Sequence, residues 1–376
     1  MKKLSIILSC CLLCFTACEK TDSEQEMINN SNIMQLEYAN QFSVVYDING
    51  CAEISIGDGN QYLLVPEGVE VPEHDENQII LQQPLENIYL AASSAMDLFY
   101  NLDSLNNIAL TSTKDWTIPE VQNALDSGDL KYIGKYSAPD YELLLSEHCN
   151  LAIESTMIYH NPDIKEQIQQ LGIPVFIERS SYETHPLGRM EWIKLYGLLL
   201  GQPEQAEKFF AEKEKLFQEI INSVAQDSKQ EKKTVAFFYI SPNGYVNIRK
   251  PNDYTSRMIE LAGGEYIFTE ENLNLDENNL STMNIQTEVF YEIAKDADIF
   301  IYNSLIDDEL QTIDELLEKS SILADCKAVK NGNIWCAGQN LFQQSTNASE
   351  MIADFYAILH DDDNSNQEIY FMHKLT

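Results

Sequence analysis

Positive charge is scarce in this chain: Lys and Arg total 24 against 60 Asp and Glu, for a formal net charge of −36. Without a basic face to neutralise phosphates, nucleic-acid binding is excluded. Histidines number 6, too few for a His-rich metal scavenger, and only His185 falls in a loop read below as part of a cleft. No run reaches the roughly 18 apolar residues of a spanning helix. There is no Gly-rich phosphate loop, no G-x-S-x-G elbow and no H-E-x-x-H pair. The one compact acid–imidazole set, Glu183-Thr184-His185, lacks a third partner nearby. No catalytic residue, cofactor or multi-His metal site is therefore expected. What is plentiful is apolar: 44% hydrophobic and 10% aromatic over 376 residues, enough for a large core and about two domains.

The first residues read as a targeting segment. Met1-Lys2-Lys3 is basic, and Leu4 to Phe15 is an apolar run of about 12 residues, too short to span a bilayer. Phe15-Thr16-Ala17-Cys18 resembles a bacterial lipobox, with Phe15 where Leu is usual. That resemblance implies a signal peptide over 1–17, lipidation of Cys18, and a chain tethered in the cell envelope at the periplasmic or extracellular face. An ordinary signal peptide cut elsewhere is the other reading. Residues 18–35 are acidic and aperiodic, a flexible spacer. Outside the cytoplasm disulfides are allowed, and Cys51, Cys149, Cys326 and Cys336 remain. Cys326 and Cys336 flank Asn331-Gly332, a two-residue hairpin signal that would set them diagonally, so a bridge between them stays open.

Residues 41–66 read as a strand meander with turns at Asn49-Gly50 and Asp58-Gly59. From Ile88 strands and helices alternate: strands at 87–91, 107–111, 151–154 and 174–178, and helices at 95–102 (capped by Ser93-Ser94), 141–146 and 163–171. That alternation predicts a parallel sheet covered by helices. Leu187 to Leu200 is apolar nearly all round and predicts a helix buried on most sides. Gln205 to Val224 is amphipathic. After a charged link the alternation restarts: strands at 234–239, 245–248 and 298–302, helices at 255–262, 308–320 and 348–359, and a hairpin over 328–335. The fold class is thus α/β, with two Rossmann-like lobes joined by a long buried helix and a ligand cleft between them. The expected boundaries are an N-terminal lobe over 36–186, a connecting segment over 187–225 and a C-terminal lobe over 226–376.

Several stretches, taken in order, resemble the class III periplasmic binding proteins, the lipoproteins that serve ABC importers for iron–siderophore, haem and cobalamin. They are Ser137-Ala138-Pro139-Asp140-Tyr141-Glu142 with Cys149-Asn150-Leu151-Ala152-Ile153; Met258-Ile259-Glu260-Leu261-Ala262-Gly263-Gly264; Glu288 followed by Asp296-Ala297-Asp298-Ile299-Phe300-Ile301; and Ala328-Val329-Lys330-Asn331-Gly332. Cys149-Asn150 stands where Pro-Asp is usual. The resemblance spans about residues 40–360. It implies a monomer that binds a small-molecule metal chelate and docks on an ABC permease dimer through Glu142 and Glu288. Two helix-start glutamates favouring the helix dipole are the plainer reading of that pair.

A cleft in an open α/β sheet lies at the carboxyl ends of the strands. This nominates Ser93, Ser94 and Trp116, and the loop that carries Tyr182, His185, Arg189 and Trp192 into the buried helix. Arg249, Tyr254 and Tyr302 follow from the second half. Arg189 and Arg249 suit an anionic chelate; an Arg189 pair with Glu183 or Glu191 is the competing role. The aromatics suit a flat ligand or simply the core, and His185 suits iron or a hydrogen bond. The Arg clusters point to a siderophore-type iron chelate, with cobalamin or haem as the alternative cargo. Bilobal α/β folds also serve chelatase-like enzymes, against which the missing motifs count.

Overall fold

The computed structural model describes residues 32–226, 231–275, 280–304, 308–360 and 369–376. The signal segment, Cys18 and most of the acidic spacer lie outside the described residues. The chain opens with a small sheet. β1 (Phe42–Tyr46), β2 (Ala52–Ile56) and β3 (Gln61–Val65) run antiparallel, and β4 (Ile79–Gln82) joins parallel to β3. Phe42, Val44, Ala52, Ile54 and Ile56 turn inward in strict alternation, as a half-buried strand requires. Gly50 and Gly59 take the positive φ of their turns.

The first lobe is the expected βα series. β5 (Ile88–Leu90), α1 (Met96–Asn101), β6 (Ile108–Thr111), α2 (Pro119–Ser127), β7 (Lys131–Tyr132), α3 (Tyr141–Ser146), β8 (Ala152–Ser155), α4 (Pro162–Gln170) and β9 (Val175–Glu178) build an all-parallel sheet ordered β7-β6-β5-β8-β9. β5 and β9 are buried along their whole length, which is why they read as continuous apolar runs. Asp140 caps α3 by accepting the N–H groups of Glu142 and Leu143. Ser93 and Ser94 do not cap α1; they sit in a 3₁₀ turn, and the Ser94 hydroxyl turns to Glu178.

α5 (Pro186–Leu199) is buried almost throughout, and α6 (Pro203–Gln226) lies against it. Gly197 makes the close approach possible, since a Cβ there would stand 2.4 Å from Ala206 Cβ. α5 also buries charge. Glu191 accepts the N–H groups of Glu37, Tyr38 and Ala39, and Glu183, just before the helix, accepts those of Asn40 and Gln41. Lys194 pairs with Glu191 at 3.1 Å and with Glu207 at 3.2 Å. Two carboxylates thus hold residues 37–41 as a strap across the connecting helix.

The second lobe comprises β10 (Thr234–Ile240), β11 (Val246–Arg249), α7 (Tyr254–Leu261), β12 (Glu265–Tyr266), β13 (Thr282–Ile285), α8 (Thr287–Ala294), β14 (Ile299–Asn303), α9 (Ile313–Lys319), α10 (Lys327–Lys330), β15 (Ile334–Ala337), α11 (Asn340–Gln343), α12 (Ala348–Leu359) and β16 (Met372–Lys374). Its sheet is mixed, β13-β11-β10-β14-β15-β16 with β12 on β10; β10, β14 and β15 are parallel neighbours, and β11 and β16 run against them, β11 pairing antiparallel with both β10 and β13. The structure corrects the hairpin expected over 328–335. Residues 327–330 are a helical turn and β15 pairs parallel with β14. Gly332, at φ 66°, ends a helix instead of turning a hairpin. Cys326 and Cys336 are buried and unbridged, as are Cys51 and Cys149.

Candidate functional site

Where the two lobes and the small sheet meet there is a cleft of about 420 Å³. Gln41 and Gly57 come from the small sheet, Arg179, Tyr182, Glu183 and Thr184 from the loop between β9 and α5, and residues 250–253 and 280–281 from the second lobe. The loop after β9 follows the carboxyl-end rule. In the second lobe residues 250–253 leave the carboxyl end of β11, which is antiparallel to β10, and residues 280–281 enter the amino end of β13, so the wall does not lie at the carboxyl ends of the parallel strands β10 and β14. A second pocket of about 360 Å³, between α6, α7 and α12, holds none of the nominated residues.

Three guanidiniums lie at or beneath this cleft, with relative exposures of 8% for Arg179, 4% for Arg189 and 7% for Arg249. Arg179 donates from Nε and Nη2 to Gln41 Oε1 at 3.4 and 3.2 Å, and lies 4.2 Å over the Tyr182 ring. Arg189 and Arg249 share Tyr254, at 4.5 and 5.5 Å from its ring centre, and Arg249 also lies 5.3 Å from that of Phe342. Arg189 Nη2 reaches Phe342 O at 3.4 Å. The carboxylate paired with this group is Asp253, 3.6 Å from Arg249. Burial pushes the Asp253 carboxyl up, against the pull of both arginines. Nε of Arg189 and Nε of Arg249 have no acceptor among the described residues. A buried cation costs several kcal/mol unless it is paired, and among the described residues the group carries positive charge in excess of its partners. The expected Arg189 pair with Glu183 or Glu191 does not form, because both acids are spent on the strap.

Beside the cleft the lobes touch. Asp97 accepts from Thr346, Ser345 donates to Ser94 O at 3.1 Å, and Gln343 joins Thr117 and Asp115 O. Ser93, Ser94 and Trp116 belong to this seam rather than to the open cleft. Trp116 is buried with its Nε1 unpartnered.

The remaining nominees divide clearly. Tyr182 lines the cleft. Trp192 and Tyr302 present no surface to it; Trp192 donates Nε1 to Glu183, and Tyr302 packs at 6.0 Å on Phe238. His185 caps α5, its Nδ1 accepting the Leu187 N–H, and stacks at 5.0 Å on Tyr38. Burial lowers its pKa, and it lies outside the cleft lining. The Glu183–His185 set is likewise not a dyad, since Glu183 serves Asn40, Gln41 and Trp192. Glu142 and Glu288 stand exposed in the first turns of α3 and α8. Gln41 and Gly57 were not singled out from sequence, whereas Arg179 opens the loop of residues 179–189 that the carboxyl-end rule nominates. Arg179 had a signal, directly following a parallel strand; Gln41 had none, its partner being 138 positions away.

Residues 89–341 match the family model described as periplasmic binding protein. An uncharacterized lipoprotein of Methanocaldococcus jannaschii is 24% identical over 415 aligned positions, which cover 100% of this chain and 97% of that one. A periplasmic heme binding protein from Pseudomonas aeruginosa superposes with a TM-score of 0.63 at 15% identity, covering 78% of this chain and 98% of the other. A possible iron-binding (periplasmic solute-binding) protein from Staphylococcus epidermidis gives 0.56 at 17% identity, covering 73% and 98%.

Proposed function

The chain belongs to the periplasmic binding protein family, and from that membership we propose that it is a lipid-anchored solute-binding protein that carries an anionic, siderophore-type iron chelate to an ABC importer. The observation that carries this reading is the buried guanidinium group, Arg179, Arg189 and Arg249, set against one paired carboxylate among the described residues, that of Asp253. An anionic ligand supplies the missing counter-charge and acceptors. Cys18 is the proposed lipid site, and the named relatives in Methanocaldococcus jannaschii include lipoproteins. Glu142 and Glu288 are the proposed docking pair, two exposed carboxylates well separated on a stiff body, which would fix orientation on a basic partner. A buried connecting helix has no loop to absorb large backbone changes, so closure on the ligand is modest.

Haem is the second reading, and one observation favours it: Tyr182 lines the cleft, and a phenolate is a ligand for haem iron. The test is tryptophan quenching against ferric siderophores of several classes, haemin and cyanocobalamin. Submicromolar quenching by an anionic ferric chelate supports the first reading. Binding of haemin with a charge-transfer band lost in Tyr182→Phe moves it to the second. Binding of cyanocobalamin alone overturns both.

A further inference from the structure

The small N-terminal sheet, residues 42–82, precedes the family match, which begins at residue 89. One of its tasks is to cover an edge. β9 is the outer strand of its sheet, and an uncovered edge invites foreign strands. Tyr62 OH donates to Val175 O at 3.2 Å and accepts the Ile177 N–H at 3.1 Å, fastening β3 to β9. The fastening brings Gln41, just ahead of β1, and Gly57, in the β2–β3 turn, to the cleft.

Gln41 decides how Arg179 is presented. A guanidinium has five N–H donors. Both described bonds of Arg179, from Nε and Nη2, go to Gln41 Oε1. That acceptor is neutral, so the charge is not cancelled. The acid of the neighbouring turn, Asp58, is engaged by the Tyr159 hydroxyl and the Asn60 N–H. The donors left on the Nη1–Nη2 edge form the fork that a carboxylate meets with two parallel bonds. Gly57 leaves room for the arrangement. A Cβ there would lie 2.8 Å from Gln41 Oε1, and the amide would have to leave Arg179.

We propose that Arg179, seated on Tyr182 and aimed by Gln41 across Gly57, is a subsite for a carboxylate of the ligand, which makes the N-terminal sheet a specificity element of the cleft. The inference deepens the anionic-chelate reading and rests on it for the identity of the cargo, while the subsite has a chemistry that can be probed without iron.

The test uses the full chain in mild detergent, with iron-free citrate and ferric citrate as probes. Citrate raises the melting temperature of the wild type, and the midpoint of that response moves roughly tenfold higher in Arg179→Gln, Gln41→Ala and Gly57→Ala. Gln41→Glu, which neutralises the guanidinium in place, weakens it more than Gln41→Ala does. In Gly57→Ala the one contact closer than 3.4 Å is to the end of a flexible side chain, and its melting temperature without citrate, read beside that of the wild type, separates a folding effect from a lost citrate response. An equal citrate response in all variants overturns the subsite, and so does the absence of any response in the wild type. If ferric citrate, a neutral ferric trihydroxamate, haemin and cyanocobalamin all bind no better than citrate while the Arg179 dependence persists, the chelate reading falls and the carboxylate subsite stands.

Discussion

Asp97 and Thr346 stand on different lobes, and a single carboxylate oxygen of the first, Oδ2, accepts both the N–H and the O–H of the second at 2.7 Å. The two residues are 249 positions apart and both are buried. This bond pair ties the two lobes together at the seam beside the cleft.

Asp97→Ala removes the shared acceptor and leaves the Thr346 donors buried without a partner. A loss of about 1–3 kcal/mol in unfolding free energy is expected. All three tryptophans are buried in the wild type, and Trp116 lies in the seam, so the variant shows red-shifted emission and greater acrylamide quenching. Unchanged emission would mean that the seam does not hold the lobes together.

Glu154, on β8, is fully buried, and among the described residues neither of its carboxylate oxygens has a hydrogen-bond partner. The hydroxyls of Tyr89 and Tyr141, from β5 and α3, lie close enough to feel the Glu154 charge. Burial pushes the Glu154 carboxyl up to about 8. A raised acid pKa gives a contribution to stability that is complete below the ordinary value of 4.5 and is lost as pH rises through about 8. Glu154→Gln keeps the neutral shape. The variant matches the wild type near pH 5 and becomes more stable by on the order of a few kcal/mol by pH 9, read as denaturation midpoints across that range. Parallel pH profiles would place the proton elsewhere.

Glu191 gathers three consecutive backbone N–H groups of the strap. Bonds to a charged acceptor are the stronger class. Glu191→Ala therefore costs about 3 kcal/mol and speeds proteolysis ahead of residue 42, whereas Glu191→Gln, which keeps one acceptor oxygen, loses less. Equal protease rates in all three proteins would show the strap to be held by other contacts.

Arg189→Ala or Arg249→Ala weakens binding of an anionic ferric chelate by about 1–3 kcal/mol. Arg249→Ala also strips Asp253 of its ion-pair partner, and its melting temperature falls further than that of Arg189→Ala. A dissociation constant unmoved by either change assigns the pair to the scaffold.

Charge reversal of Glu142 and Glu288 together abolishes uptake of the chelate in cells and leaves affinity of the isolated protein intact. Uptake at the wild-type rate would remove the docking role.

Much of this architecture could be read from the chain, because parallel strands buried on both faces announce themselves as short apolar runs: Ile88–Leu90, Val175–Glu178 and Ile299–Asn303 were all placed within a residue or two. The continuous apolar stretch over 187–200 likewise gave the buried connector. The readings that failed did so for identifiable reasons. Asn331-Gly332 satisfies a hairpin turn and a helix stop equally well, and only the parallel partner of β15 decides between them. β13 and β16 are short and alternate with polar residues such as Asn284 and His373, so they look like loop. In the site, Trp192, Tyr302 and His185 were drawn in by residue type, yet a large aromatic next to a cleft is usually what the cleft wall is built from. Glu183 and Glu191 looked like partners for Arg189, whereas their actual partners are backbone N–H groups, which no side-chain pattern can reveal. The same limit hid Gln41, whose role exists only once a distant sheet has docked.

The strap has a mechanical consequence. Residues 32–34 pair with β1, and residues 37–41 are then gripped at α5, the segment that joins the lobes. A pull on the first residues of the chain is therefore met in series, first by a strand pairing at the small sheet and then by a carboxylate–backbone clasp at the root of both lobes.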